Sequence, residues 1–289
     1  MAFCFRRRET IAAGFERIAH EQLRAGVAAL EKNPDDGVHD ARRTIKRLRG
    51  LLRLFRRALP GESFARANRD LRAAGHSLSA VRDARVRLEV FESVAKGMRD
   101  PAIAEFRESL VAAARMAQGG QTSRRPGAAA IAALHTVAAR LPGLKADTGW
   151  RVLACGLEAA YRRARKAHAE ARTEFSTEAL HAWRRRSKDF QYQLQLLRKL
   201  DLPEIKRRIR KASHLTDLLG ADHDLAALDR ILARTSRIAA RQRRKLRQRI
   251  VHRRDRLQRR AFDLGRELFF EKPSELVAEF TRAWKRGRR

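Results

Sequence analysis

Apolar residues recur along this chain at intervals of three and four, separated mainly by arginine, alanine and glutamate. This spacing places apolar side chains on one face of an α-helix, and the residues between them are good helix formers. No stretch shows the strict alternation of a half-buried strand. We therefore predict an all-α protein. The expected helices cover, within a few residues at each end, 9–31, 37–59, 62–77, 83–98, 101–118, 128–141, 148–173, 177–200, 203–219, 223–267 and 274–286.

The second part of the chain repeats the first. The pattern H-x-x-R-R-x-x-K occurs at 39–46 and again at 181–188, and LSAVRDARVRL at 78–88 resembles LGADHDLAALD at 219–229. At nearly the same offset, Arg66 and Arg69 correspond to Arg207 and Arg210. Two copies of one helical unit are the simplest explanation. We expect a first half at 1–118, a linker at 119–127 (GGQTSRRPG) and a second half with extra C-terminal helices at 128–289.

Each copy of the repeated helix is predicted to carry a basic face opposite an apolar one. At 100° per residue, five basic side chains fall within roughly 60° of His39: Arg42, Arg43, Lys46, Arg53 and Arg57. They point away from Ile45, Leu48 and Leu52. In the second copy, Trp183 and Phe190 lie opposite the basic residues. The candidate anion-binding residues are His39, Arg42, Arg43, Lys46, Arg49, Arg53, Arg66, Arg69, His181, Arg184, Arg185, Lys188, Arg207 and Arg210.

Composition supports an anionic partner. The chain has 66 Lys and Arg residues against 33 Asp and Glu, a formal net charge of +33. A compact protein with this imbalance repels itself unless an anion offsets the charge. The partner is then a nucleic acid, an anionic membrane surface or an inorganic phosphate polymer. Arginine outnumbers lysine on the two faces, which favours forked hydrogen bonds to phosphate oxygens.

Four residues of the repeat allow more than one interpretation. His39 and His181 are either ordinary residues of a first helical turn or phosphate contacts whose pKa would rise on binding. Asp83 and Asp224 are either helix N-caps or carboxylates that hold an arginine in its binding rotamer, and we favour the second.

These motifs resemble the CHAD family of histidine-bearing α-helical domains. The resemblance rests on His39–Arg49, the Arg82–Asp83 dipeptide, His181–Lys188 and LGADHDLAAL at 219–228. It implies two four-helix bundles related by pseudo-twofold symmetry, with a basic groove between them that binds inorganic polyphosphate, and association with polyphosphate granules. The second copy departs from the pattern, since Asp189, Gln191 and Gln195 stand opposite Arg47, Arg49 and Arg53. We expect either that this second face binds more weakly or that its helix meets the polymer at only one end.

The sequence contains no recognisable catalytic motif. Asp217, Asp222, His223 and Asp224 are close together, but aspartates of this kind commonly cap helices and only one histidine accompanies them. We therefore expect a binding protein without catalysis, cofactor or metal. Nonspecific binding of DNA or RNA is the alternative, and an accessory module that stimulates a separate polyphosphatase or triphosphatase is the second. Aromatic residues are only 6% of the chain, which argues against base stacking.

The expected location is the cytoplasm, at polyphosphate granules. Two distant cysteines suit a reducing compartment, and we see neither a signal peptide nor an apolar run long enough for a membrane span. The basic segment 238–260 is an extra basic wall, a solvated face or a nucleic-acid tether, and the sequence leaves these alternatives and the oligomeric state open.

Overall fold

The computed structural model describes residues 3–6, 8–32, 37–119, 127–141, 143–145, 148–200 and 202–286. Over these ranges the protein is all-helical, without a strand, as the apolar spacing predicts. The helices are α1 Ile11–Lys32, α2 Gly37–Leu54, α3 Gly61–Ser77, α4 Ser79–Ala95, α5 Pro101–Gly119, α6 Ala128–Ala139, α7 Trp150–Glu174, α8 Thr177–Leu196, α9 Pro203–Arg234, α10 Ala240–Leu268 and α11 Pro273–Arg286.

Several helix boundaries differ from the prediction. Helix α2 ends at Leu54 rather than at residue 59, and the helix expected over 223–267 is interrupted between Arg234 and Ala240. A break was expected near residues 220–222, but α9 runs without interruption to Arg234, and the chain turns only after that residue. Gly220 lies inside this helix, next to the guanidinium of Arg184, which a Cβ atom at Gly220 would meet in ordinary van der Waals contact at 3.5 Å. Helix α4 begins at Ser79 rather than residue 83. Asp83 and Asp224 therefore lie inside helices, so the N-cap interpretation of both is wrong.

The main core lies where α1, α2, α3 and α6 meet α7, α8, α9 and α11. The predicted apolar faces are confirmed: Ile45, Leu48 and Leu52 of α2 are buried, and so are Trp183 and Phe190 of α8. A second, smaller core forms between α4, α5, α9 and α10. Across the described ranges, no helix combines the length and apolarity needed to cross a membrane.

The helices before the expected linker do not pack only on one another, and neither do those after it. Residues 120–126 of this linker lie outside the described residues. Helix α6 follows it but packs on α1 and α3, where Ala130, Leu134 and Val137 complete the core. Helices α4 and α5 precede it but pack on α9 and α10 through the second core. Buried apolar surface thus decides the grouping. The pseudo-twofold relation between the two halves stays a prediction.

Close backbone approaches hold α2 against α7 and α8. A Cβ atom built on Gly50 would lie 3.0 Å from Cβ of Tyr192 in α8. One built on Gly156 in α7 would lie 2.0 Å from the carbonyl oxygen of Leu54 at the end of α2. Side chains larger than hydrogen would separate these helices. The two repeated basic helices, α2 and α8, are therefore direct neighbours.

Replacing Gly156 by alanine should lower the free energy of unfolding. The added methyl group overlaps the Leu54 carbonyl and has to push α7 away from α2, an overpacking cost of about 1–3 kcal/mol. Gly61→Ala is the matched control, since a Cβ there meets nothing within 4 Å. Urea denaturation followed by circular dichroism measures both variants. Equal stability of the two would contradict the close approach of α2 and α7.

Candidate anion-binding site

Five basic side chains come together beside the contact between α2 and α8. We call them the central cluster: Arg42 and Lys46 of α2, Arg82 of α4, and Arg184 and Lys188 of α8. The basic residues of the two copies alternate with the apolar ones that bury each helix, so packing the helices side by side directs both basic faces into one space. The two copies of the repeated helix thus contribute to one site.

Like charges dominate this cluster. Burial lowers the pKa of Lys46 to about 8, and the positive charges of its four cluster neighbours add to the shift. Lys46 is nevertheless exposed to solvent at its surface, although many protein atoms surround it. Burial also lowers the pKa of Arg42, Arg184 and Lys188. The arginines keep their charge at neutral pH, because a guanidinium is not deprotonated in proteins.

Carboxylates lie only at the edge of the cluster. Asp224 accepts hydrogen bonds from Arg82 at 3.4 and 3.5 Å, and Asp83 accepts one from the same guanidinium at 3.1 Å. Asp217 lies 3.7 Å from Lys188. The two aspartates of the repeat thus hold an arginine of the cluster in place, which agrees with their favoured interpretation.

Three members of the cluster have no carboxylate within ion-pair distance among the described residues. Arg42 donates to the carbonyl oxygen of Gly75 at 2.7 Å. Lys46 has no described hydrogen-bond partner, and Nε of Arg184 is buried without one. Cations that are crowded together, partly withdrawn from water and not held in an ion pair are destabilising unless an anion binds them. The arrangement is therefore suited to an anion with several oxygens.

The other predicted residues of α2 lie around the central cluster and differ in exposure and in their interaction partners. His39 is exposed in the first turn, and Arg43 forms an exposed ion pair with Asp40 at 3.0 Å. Arg49 donates to Oδ1 of Asn68 at 3.1 Å. Arg53 is held by Asp189 of α8 in a short, partly buried ion pair. Its charge is already compensated within the protein.

Asp189 and Gln191 do not dilute a second basic face. Both side chains are buried. Asp189 neutralises Arg53, while Gln191 donates to Ser213 at 2.6 Å and accepts from Thr216 at 2.9 Å. These two positions therefore belong to the packed interior rather than to an exposed face, because α8 is covered on that side by α2 and α9. The weaker binding expected of the second copy stays a prediction.

The remaining predicted residues, on α3, α8 and α9, are not in close contact with the central cluster. Arg66 and Arg69 are exposed on α3, and Arg210 is exposed on α9. Arg207 forms an ion pair with Glu204 one turn before it, and Arg185 points from α8 into solvent. Their contribution to anion binding stays a prediction.

The histidines of the two copies are not equivalent. Nδ1 of His181 lies 3.2 Å from Nδ1 of His223, which indicates that one ring donates and the other accepts. Burial lowers the pKa of His181 to about 4, and the neighbouring His223 and arginines contribute. Burial lowers the pKa of His223 as well. At neutral pH His181 is therefore a neutral member of a histidine pair, whereas His39 has no such partner among the described residues.

The order and geometry of these helices agree with comparisons to known proteins. The sequence profile of the CHAD domain matches residues 16–233, most of the chain. The chain belongs to the CHAD domain family. Helices α10 and α11 lie beyond the matched segment.

Two solved structures share this fold. PptA from Streptomyces chartreusis superposes with a TM-score of 0.62 at 16% identity, covering 96% of this chain and 100% of that chain. The CHAD domain from the plant Ricinus communis superposes with a TM-score of 0.55 at 18% identity, covering 97% and 95%. At such identities the likeness shows the fold alone. None of the curated proteins compared with this chain matches it.

Sequence reasoning missed some CHAD residues that shape the site. Arg82 was noted only as part of the Arg82–Asp83 dipeptide, yet it joins α4 to Asp224 of α9. Burial and the charge of Arg53 lower the pKa of Arg49, and Arg72 of α3 contributes to the same shift. A helical phase comparison finds Arg72, since it follows Asn68 by one turn, and Asn68 binds Arg49.

The four residues that resembled a sparse metal site face different partners. Asp217 lies near Lys188, and Asp222 accepts from Arg254 at 2.9 Å. His223 contacts His181, and Asp224 contacts Arg82. Within the part of the chain that the structure describes, no three His, Cys, Asp or Glu side chains are placed together to hold a metal ion.

Lys46→Gln should raise the free energy of unfolding of the ligand-free protein at pH 7. The folded-state pKa of about 8 lies below the ordinary value of 10.5, so folding disfavours the charged lysine. That cost is fully present below about pH 8 and disappears as the pH rises toward the unfolded value. The advantage of the variant should therefore shrink at pH 9.5 or so.

Urea denaturation at both pH values measures this effect. Lys245→Gln is the control, because Lys245 is exposed on α10 and its substitution removes the same charge at a position outside the cluster. If Lys46→Gln is no more stable than the control at pH 7, repulsion within the central cluster is refuted.

Proposed function

We propose that this CHAD protein binds inorganic polyphosphate at the central cluster and does not hydrolyse it. The observation that carries the proposal is a group of cations at the contact of the two basic helices, Arg42, Lys46 and Arg184, with no described carboxylate within ion-pair distance. Membership in the CHAD family supports a polyphosphate-related role. Association with polyphosphate granules would follow from such binding.

A phosphate chain fits this site better than a nucleic acid does. A single-stranded nucleic acid would gain from aromatic platforms on which its bases stack. Trp183 and Phe190 of α8 are fully buried, and Tyr192 is nearly so. Polyphosphate has no bases, so guanidinium and ammonium groups that grip oxygens are sufficient.

A charge-removal variant should identify the site. Replacing Arg42, Lys46 and Arg184 by glutamine removes up to three phosphate contacts, and each contact contributes roughly 0.7 to the slope of log affinity against log salt. The slope for polyphosphate should therefore flatten by up to about two units. The charge-matched control replaces Arg241, Arg244 and Lys245, which are exposed on α10.

The same titration compares long-chain polyphosphate with single- and double-stranded DNA at equal phosphate content and physiological salt. Polyphosphate should displace both, and only the central-cluster variant should lose most of this binding. Stronger binding of DNA would overturn the polyphosphate proposal in favour of a nucleic-acid-binding protein. Equal losses in the two variants would show that net charge, rather than the cluster, determines affinity.

We further expect no turnover of the polymer. Hydrolysis of a phosphoanhydride uses metal ions or a positioned nucleophile. The aspartates nearest the cluster, Asp217 and Asp224, are engaged by Lys188 and Arg82. Purified protein incubated with polyphosphate or triphosphate and Mg²⁺ or Mn²⁺ should release no orthophosphate. Release that is abolished by Asp224→Asn would show that this carboxylate is catalytic.

A further inference from the structure

A cleft separate from the central cluster opens between α4, α9 and α10. Its volume is about 570 Å³. Apolar side chains from all three helices form its floor: Val86 and Val90, Ala221 and Leu225, and Leu257. Leu225 is buried, and the others are partly or fully accessible from the cleft. Volumes of this size and apolar linings are typical of sites for small organic molecules.

Arginines of α10 line one rim of this cleft. Arg253 is fixed by the backbone carbonyl and the hydroxyl of Ser93, both at 2.7 Å. Arg256 and Arg260 follow it on the same face, one helical turn apart. Arg256 is exposed, and no described carboxylate lies within ion-pair distance of it. The only described contact of Arg260 is to Nε2 of His214, at 3.4 Å.

The carboxylates near the cleft do not neutralise these two arginines. Glu89 is paired with Arg85 at 3.1 Å, and Asp224 is paired with Arg82. Like charges at positions i and i+4 repel each other on a helix surface, so Arg256 and Arg260 destabilise each other when nothing is bound. One anionic group between them would relieve this repulsion and accept forked hydrogen bonds.

We propose that this cleft binds a small amphiphilic anion, an apolar chain or ring system that carries a single phosphate or carboxylate group. The apolar part covers Val90, Leu225 and Leu257, and the anionic group lies between Arg256 and Arg260. Inorganic polyphosphate lacks the apolar part, so it does not match this lining. The site also requires α10, which lies outside the segment matched by the CHAD domain. The inference therefore does not depend on polyphosphate binding.

Dodecyl phosphate is a direct probe of this cleft. Isothermal titration below its critical micelle concentration should give saturable binding with one equivalent per chain. Arg256→Gln combined with Arg260→Gln should lower the affinity by about tenfold or more, since two charge-assisted contacts are lost. The matched control, Arg241→Gln with Arg244→Gln, removes the same charge from another part of α10 and should leave the affinity unchanged.

Further arms separate the apolar and anionic contributions. Ala221→Phe should abolish binding, because the ring would fill the cleft from the exposed side of α9. Circular dichroism verifies that this variant is folded. Dodecanol and inorganic phosphate should each bind much more weakly than dodecyl phosphate. Laurate, tested in parallel, identifies whether phosphate or carboxylate is the preferred head group.

Three results would overturn this proposal. The first is an equal loss of affinity in the Arg256/Arg260 variant and in its charge-matched control. The second is displacement of dodecyl phosphate by inorganic phosphate at similar concentration, and the third is unchanged binding in a folded Ala221→Phe variant. The arginine variants lie on the surface, so the first comparison remains decisive even if Ala221→Phe fails to fold.

Discussion

The direct packing of α2 against α8 is the constraint from which the candidate site follows. Gly50 allows the two helices to approach at Tyr192, and Gly156 allows α7 to close against the end of α2. Each repeated helix alternates a buried apolar face with a basic one, so helices this close together present their basic residues to each other. Burial is the main cause of the lowered pKa of Lys46, and the repulsion from the neighbouring cations adds to it. The fold accepts this cost because the apolar faces of the same helices are fully buried.

High positive charge alone does not identify a binding surface in this protein. Many arginines hold the fold together instead. Arg17 joins Glu9, Glu21 and the carbonyl of Cys4, while Arg208 joins α9 to Glu271 and Glu279. A guanidinium can serve several acceptors at once, which suits it to such positions. Arg42, Lys46 and Arg184 differ from these structural arginines because they lie among other cations and no described carboxylate is within ion-pair distance of them, and only tertiary contacts reveal that.

The sequence was sufficient to predict the all-helical fold and the apolar faces of α2 and α8, since both depend on local spacing. It also identified Arg42, Lys46, Arg184 and Lys188, because repetition of the motif marks the helices that pair. The sequence could not predict which residues that are distant along the chain contact each other. The ion pair of Arg53 with Asp189 joins residues far apart in sequence, and the alignment of the two copies treated these residues as independent surfaces. The packing of α6 on α1 and α3 was missed because an apolar helix face does not specify its partner.

Proton uptake and anion binding are coupled through this geometry. With a pKa of about 8, Lys46 in the ligand-free protein is only partly protonated at mildly alkaline pH. A phosphate chain in the cluster would stabilise its ammonium form, so binding at that pH takes up a proton. The histidine pair lies beside the same charges, and an anion near Arg184 would raise the pKa of His181 in the same direction. Burial and repulsion among the cations thus together set both the cost of the empty site and the pH range over which an anion relieves it.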